Sequence, residues 1–217
     1  MLKDTLRITE IFYSLQGEGK TTGLPTTFIR LTGCPLRCGY CDTEYAFHGG
    51  ETWRIDDILQ EVGQLGAHYI NVTGGEPLAQ QRVHDLMKQL CDAGYHVFLE
   101  TSGALDVSTV DPRVFKVLDV KTPASGEVDK NRMDNFQYLT KQDQVKYVIC
   151  DHADYQWSAE HMLDNQLNKK CDVLFSPVQD KLPATELADW VIKDKLPVRF
   201  QIQLHKKNFL QVFGENQ

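Results

Sequence analysis

The chain has 217 residues, a formal net charge of −7, and 41% hydrophobic and 24% charged residues. These are ordinary globular values, which exclude disorder, collagen-like repeats and low complexity as descriptions of the whole chain. No apolar run approaches the ~20 residues of a membrane helix, and the acidic balance argues against a nucleic-acid partner, whose binders carry a basic excess. The start, Met1-Leu2-Lys3-Asp4-Thr5, lacks the apolar core of a secretory signal, so a cytoplasmic protein is expected.

Taken in order, Thr26–Leu31 reads as a strand. Ile55, Ile58, Leu59, Val62 and Leu65 follow helical spacing, Tyr69–Thr73 is a strand, and Val83, Leu86, Met87 and Leu90 give a second helix closed by Gly94. His96–Glu100, Val114–Val120, Val145–Cys150, Asp172–Ser176 and Val198–Leu204 read as further strands, with helices over Ser158–Leu167 and Ala184–Lys193. The stretch from Asp119 to Gln144 is polar and less regular. Repeated β-then-α order argues for parallel strands with right-handed crossovers. A closed eight-fold barrel takes ~250 residues. The expectation is therefore one α/β domain over residues 1–217, a partial, open βα barrel of about six or seven mainly parallel strands.

Polar residues fall consistently at strand ends. Thr73, Gly74, Gly75 and Glu76 follow one strand, and Glu100, Thr101, Ser102 and Gly103 the next. Asp119 with Lys121, Ser176 with Gln179, and His205 follow three others. In a parallel βα array these loops converge on one rim, where ligands bind.

Three of the six cysteines crowd into eight residues, Cys34-x3-Cys38-x2-Cys41, just after the Thr26–Leu31 strand. Cys91, Cys150 and Cys171 lie in or beside apolar segments, as buried thiols do. Three close thiolates suit a soft metal centre. A zinc site needs a fourth ligand, for which His48 is available. An iron–sulfur cubane held by three cysteines leaves one iron open to a small ligand. The residues alone leave cluster and zinc both open.

Cys34-x3-Cys38-x2-Cys41 with Tyr40 before the third cysteine resembles the signature of the radical S-adenosylmethionine (SAM) enzymes, and Val72-Thr73-Gly74-Gly75-Glu76-Pro77 is similar to their glycine-glycine-glutamate-proline turn. Ser14-Leu15-Gln16-Gly17-Glu18-Gly19, Phe28-Ile29-Arg30-Leu31, Gly33-Cys34-Pro35, Cys41-Asp42-Thr43, Glu100-Thr101-Ser102-Gly103 and Gln203-Leu204-His205-Lys206 further resemble the 7-carboxy-7-deazaguanine synthases of queuosine biosynthesis.

That resemblance implies a carbon–nitrogen lyase with a [4Fe-4S] cluster, SAM and Mg2+. A 5′-deoxyadenosyl radical takes hydrogen from C6 of 6-carboxy-5,6,7,8-tetrahydropterin, the ring contracts, and ammonia leaves. It implies cluster ligation by Cys34, Cys38 and Cys41 and a Mg2+ contact at Thr43, which could otherwise cap a helix. It implies SAM contacts from Tyr40, Cys41, Asp42, Gly75 and Glu76, with Ser102, Lys121, Ser176 and Gln179 as further candidates. Substrate contacts fall on Leu15, Gln16, Gly17, Arg30 and Thr73, Arg30 as a fork for the pterin carboxylate. A homodimer and a flavodoxin-type electron donor belong to the same expectation. Where the family has Ser-Pro-Lys this chain has Asp119-Val120-Lys121, and its tail after Lys206 differs, so Gln217 is given no role. The rival readings are another radical SAM enzyme, such as a glycyl-radical activase, and a zinc-knuckle interaction module.

Overall fold

The computed structural model describes residues 4–206, His205 by its backbone alone, so the tail and Gln217 lie outside the described residues. The strands are β1 (Thr5–Leu15), β2 (Pro25–Leu31), β3 (Glu51–Arg54), β4 (Tyr69–Gly74), β5 (His96–Thr101), β6 (Phe115–Val120), β7 (Gln144–Ile149), β8 (Asp172–Pro177) and β9 (Arg199–Phe200). The helices are α1 (Ile55–Leu65), α2 (Val83–Asp92), α3 (His152–Asp164), α4 (Leu167–Lys170) and α5 (Ala184–Lys193). The strands form one open sheet in the order β3-β1-β2-β4-β5-β6-β7-β8-β9. From β2 to β9 every pairing is parallel, while β1 runs antiparallel to β2 and β3.

The partial barrel expected from the βα alternation is present, with nine strands rather than six or seven. The two added strands are β1 and β3. A bulge between Ile8 and Glu10 breaks the alternation of β1: Leu6 and Ile8 are buried in the core, and the apolar set then resumes at Ile11. The α3 helix begins at His152, not Ser158, because the Asp151 side chain caps it by accepting from the Asp154 N–H at 2.8 Å. It ends at Asp164, and Gln166 adopts a left-handed conformation (φ 52°) before α4 starts. The strand expected over Val198–Leu204 shrinks to Arg199–Phe200, because the residues that follow leave the sheet. The irregular stretch after Asp119 is a chain of short 3₁₀ turns over Pro123–Ser125, Val128–Lys130 and Met133–Tyr138.

Period-two alternation gives each strand two faces. In β4, Ile70 and Val72 are buried with Val97 and Leu99 of β5 and with Ile58, Val62, Leu86, Met87 and Leu90 of α1 and α2. Burying each of these side chains stabilises the fold by about 1.5–3 kcal/mol. The opposite face of the same strands carries Asn71, Thr73 and Glu100, joined by hydrogen bonds. The apolar face thus fixes the sheet, and the polar face lines the hollow of the barrel.

Candidate active site

A cavity of about 460 Å³ opens at the C-terminal ends of the parallel strands. That is within the range of small-molecule sites, about 300–1,000 Å³. Its wall gathers residues from the β1–β2 loop, the cysteine loop after β2, and the ends of β4, β5, β6 and β7.

Cys34, Cys38 and Cys41 all line the cavity as free, partly buried thiols. Burial pushes all three up, Cys38 to about 11. Among the described residues no three His, Cys, Asp or Glu side chains converge on one metal ion. A cubane makes no such demand, because each thiolate takes a different iron. His48, the candidate fourth ligand of a zinc site, is exposed and does not line the cavity. Three soft donors facing a cavity that also has room for a small ligand fit a cluster with one open corner.

The loop continues through Tyr40, Cys41, Asp42 and Thr43 along the cavity wall. The Thr43 hydroxyl does not cap the 3₁₀ turn that follows; it donates to Asp42 Oδ1 at 2.9 Å. Asp42 also pairs with Lys206, Nζ to Oδ2 2.9 Å. The Tyr40 ring lies 6.0 Å from Lys121 Nζ, and Lys121 pairs with Asp119 at 2.8 Å. Burial alone would lower the Lys121 ammonium, but Asp119, Tyr40 and Cys38 hold it above its ordinary value. The second oxygen of Asp119, Oδ1, is buried without a hydrogen-bond partner in a cavity-lining residue.

The glycine turn after β4 packs directly on the cysteine loop. A Cβ on Gly75 would stand 2.3 Å from the Gly33 carbonyl oxygen and 2.8 Å from the Cys34 Cβ. Glycine is required there for packing within the protein, in addition to any approach of a ligand. The Gly75 and Glu76 N–H groups are spent on the Leu31 and Gly33 carbonyls at 3.2 and 2.8 Å. Glu76 departs from expectation. Its carboxylate is fully buried and does not line the cavity, accepting from the Leu78 N–H, the Thr101 hydroxyl, and both the N–H and the hydroxyl of Ser102. It fastens the turn to β5.

Arg30 projects from β2 between Phe12 and Tyr45, its guanidinium carbon 5.9 and 5.8 Å from the two ring centroids. Its Nε donates to Glu10 Oε1 at 2.6 Å, and the Tyr45 hydroxyl donates to the same oxygen at 2.8 Å. Among the described residues the two Nη groups of Arg30 have no acceptor. Leu15, Gln16, Gly17 and Thr73 line the same cavity. Glu100 collects the Asn71 amide at 2.9 Å, the Thr73 hydroxyl at 3.1 Å and the Gln16 amide at 3.4 Å. Lys146 pairs with Glu18 at 2.7 Å, both nearly buried. Burial would lower Lys146, but Glu18, Asp119 and Glu100 together hold it well above its ordinary value.

The structure thus brings together all the expected site residues but three. Glu76 lies behind the wall; Ser176 is fully buried with its Oγ unpartnered and does not line the cavity; Gln179 is exposed outside it. The sequence reading missed Glu10, Phe12 and Tyr45, and gave no role to Glu18, Lys146 or Lys206. The inward alternation of Glu10, Phe12 and Ser14 was available as a signal for the first two, once the bulge is allowed for.

Residues 28–119 match the Radical SAM superfamily model. The chain is 43% identical to the 7-carboxy-7-deazaguanine synthase of Chlorobaculum tepidum over 93% of each chain. It is likewise 43% identical to the protein of that name from Koribacter versatilis, over 93% of this chain and 96% of the relative. Its fold matches the crystal structure of QueE from Escherichia coli with a TM-score of 0.77, 24% identity, and coverage of 93% and 95% of the two chains. These relatives span almost the whole chain and favour neither a glycyl-radical activase nor a zinc knuckle. With a triple-cysteine loop and a double-glycine turn packed at the head of an open βα barrel, the chain belongs to the 7-carboxy-7-deazaguanine synthase family of radical SAM enzymes.

Proposed function

We propose that this cavity converts 6-carboxy-5,6,7,8-tetrahydropterin to 7-carboxy-7-deazaguanine with loss of ammonia, and that the whole chain works as one domain. The observation that carries the reading is the opening of the three cysteines and Arg30 onto one cavity. The cysteines offer a cluster site, and Arg30 a cationic fork with both Nη groups available for a carboxylate.

Cys34, Cys38 and Cys41 would hold a [4Fe-4S] cluster, which together with SAM would supply the one-electron chemistry that begins hydrogen abstraction from the pterin. The chain's own residues orient and enclose. With the neighbouring N–H groups committed to protein carbonyls, the Gly75 backbone offers its own carbonyl to the methionine ammonium. Tyr40, Asp42, Ser102 and Lys121 surround the remainder of SAM. Glu76 holds Ser102 in place rather than contacting SAM. Arg30 receives the substrate carboxylate end-on, while Leu15, Gln16, Gly17 and Thr73 meet the ring. The hydroxyl of Thr43, beside the Asp42 carboxylate, supplies hard oxygen to Mg2+.

Among the described residues no helix is long and apolar enough to cross a membrane. The six free cysteines suit a reducing compartment, and cytoplasmic residence, a homodimer and a flavodoxin-type reductant complete the reading. The test is anaerobic turnover with SAM, a reductant and the carboxytetrahydropterin. SAM-dependent formation of the deazaguanine product is expected, with Thr43→Ala losing Mg2+ stimulation at unchanged iron content. SAM cleavage without that product would refute the substrate assignment, and unaltered Mg2+ dependence would remove Thr43.

A further inference from the structure

The loop between β1 and β2 carries Leu15, Gln16 and Gly17 into the cavity, and it is held from outside by glutamines. The Gln201 amide oxygen accepts from the Gly19 N–H at 2.7 Å. Its amide nitrogen donates to the Gly19 carbonyl at 3.2 Å and to the Thr22 hydroxyl oxygen at 2.7 Å. Thr22 in turn donates to the Gly19 carbonyl at 2.8 Å. On the other side, Gln144 Oε1 accepts from the Lys20 N–H at 2.8 Å. A side-chain amide that both accepts from and donates to one residue's backbone does the work of a neighbouring strand. Gly19 permits it by lying at φ +75°, with its missing Cβ 3.2 Å from Gln144 Oε1.

The chain beyond Gln201 continues the attachment. The Gln203 amide donates to Glu18 Oε1 at 2.7 Å, and the Leu204 N–H donates to the Gly17 carbonyl at 3.2 Å. It then crosses to the cysteine loop, where Lys206 pairs with Asp42 at 2.9 Å. This explains why β9 stops at Phe200. After the Gln201 N–H bonds the Phe175 carbonyl, the segment turns its polar groups to the loop rather than to the sheet.

We propose that Gln201 is a positioning residue for the substrate, anchoring a strap over residues 201–206 that ties the Leu15–Gly17 loop to the Asp42 side of the cavity. The inference rests on reading that loop as a substrate contact. Gln201 touches neither substrate nor cofactor; it acts by fixing the backbone of Gly19, two residues from Gly17.

The experiment compares wild type, Gln201→Ala and Thr22→Val, each reconstituted anaerobically. It measures KM and kcat for the carboxytetrahydropterin, the change in the reduced cluster's electron paramagnetic resonance spectrum on adding SAM, and amide hydrogen exchange over residues 16–22. Gln201→Ala is expected to raise KM about tenfold, as for loss of hydrogen bonds of ordinary net strength. Its kcat and SAM-induced spectral change should stay at wild-type values, and exchange at Gly19 and Lys20 should accelerate. Thr22→Val, which removes a single partner of the amide, should shift KM the same way by a smaller factor, and it decides the matter if Gln201→Ala does not fold. An unchanged KM, or an unchanged exchange pattern, with a normally active wild type overturns this proposal alone. A wild type that never turns over the pterin overturns the functional reading beneath it, and the proposal with it.

Discussion

Glu10 and Arg30 face each other across the antiparallel pair β1–β2 and close an ion pair of 2.6 Å between Oε1 and Nε. A guanidinium can grip a carboxylate through its Nε edge or through its two Nη groups, and Glu10 occupies the first. The bulge after Ile8 brings Glu10 opposite Arg30 on the cavity face. Glu10→Ala, which removes that acceptor, should therefore leave Arg30 free to rotate and raise KM for the pterin. A charge-assisted hydrogen bond is worth about 1.5–3 kcal/mol, which corresponds to about 10–150-fold. Arg30→Lys should not restore binding, because an ammonium cannot form the fork. Steady-state kinetics against pterin concentration checks both, and a Glu10→Ala enzyme with wild-type KM would refute the orientation argument.

Gly75 and Gly63 give opposite expectations for the same substitution. A Cβ on Gly75 would overlap the Gly33 carbonyl and the Cys34 Cβ, whereas Gly63 in α1 has open space around it. Gly75→Ala should displace the cysteine loop and lower iron content after reconstitution. Gly63→Ala should keep full iron content and gain about 0.5–1 kcal/mol of stability. Iron and sulfide assay with thermal melting decides, and equal iron content in the two variants would contradict the packing.

Glu76 is a structural carboxylate here, so its loss should appear in stability before it appears in SAM affinity. Glu76→Ala strands four buried donors, from Leu78, Thr101 and Ser102, at a cost of at least about 3 kcal/mol. Urea denaturation of the apoprotein measures it. A loss below 1 kcal/mol would show that these groups find other partners.

His161 predicts a pH effect remote from the site. Its ring stacks on Trp157 at 4.7 Å, meets the Tyr147 hydroxyl at 2.7 Å and Met133 Sδ at 3.4 Å, and lies edge-on to Phe136. Burial holds it below its ordinary value, against a weaker opposing pull from Asp164. The unfolded chain therefore binds more protons than the fold once pH drops below about 6.5, so stability falls from there toward the lower folded value. His161→Gln should remove that component. Denaturation midpoints measured from pH 7.5 down to 5 should converge for the two proteins at the acid end, and a constant offset across the range would contradict the assignment.

What the sequence disclosed and what it hid have separate physical causes. The buried strands β4 to β8 and the helices α1, α2 and α5 were legible because each presents a continuous apolar run or a clean helical stripe. The cysteine loop and glycine turn were legible because their chemistry demands fixed residue types at fixed spacing. β1 was hidden by its bulge, and with it Glu10 and Phe12. β3 has only four residues and no buried side chain, so it left no pattern. Glu76 is the opposite case: the motif marks the turn, but only the fold shows that its carboxylate accepts from Thr101 and Ser102. Ser176 lies near the end of β8 and Gln179 just after it, yet the strand buries one outside the cavity lining and the loop leaves the other exposed outside it.

The central claim is that Cys34, Cys38 and Cys41 would hold a [4Fe-4S] cluster to which SAM would bind. Electron paramagnetic resonance of the anaerobically reconstituted, reduced protein, recorded before and after adding SAM, tests it most directly. The account predicts about four irons per chain and a signal that shifts on SAM addition, with Cys34→Ala abolishing both. A spectrum indifferent to SAM, or a colourless protein carrying one zinc, would contradict it.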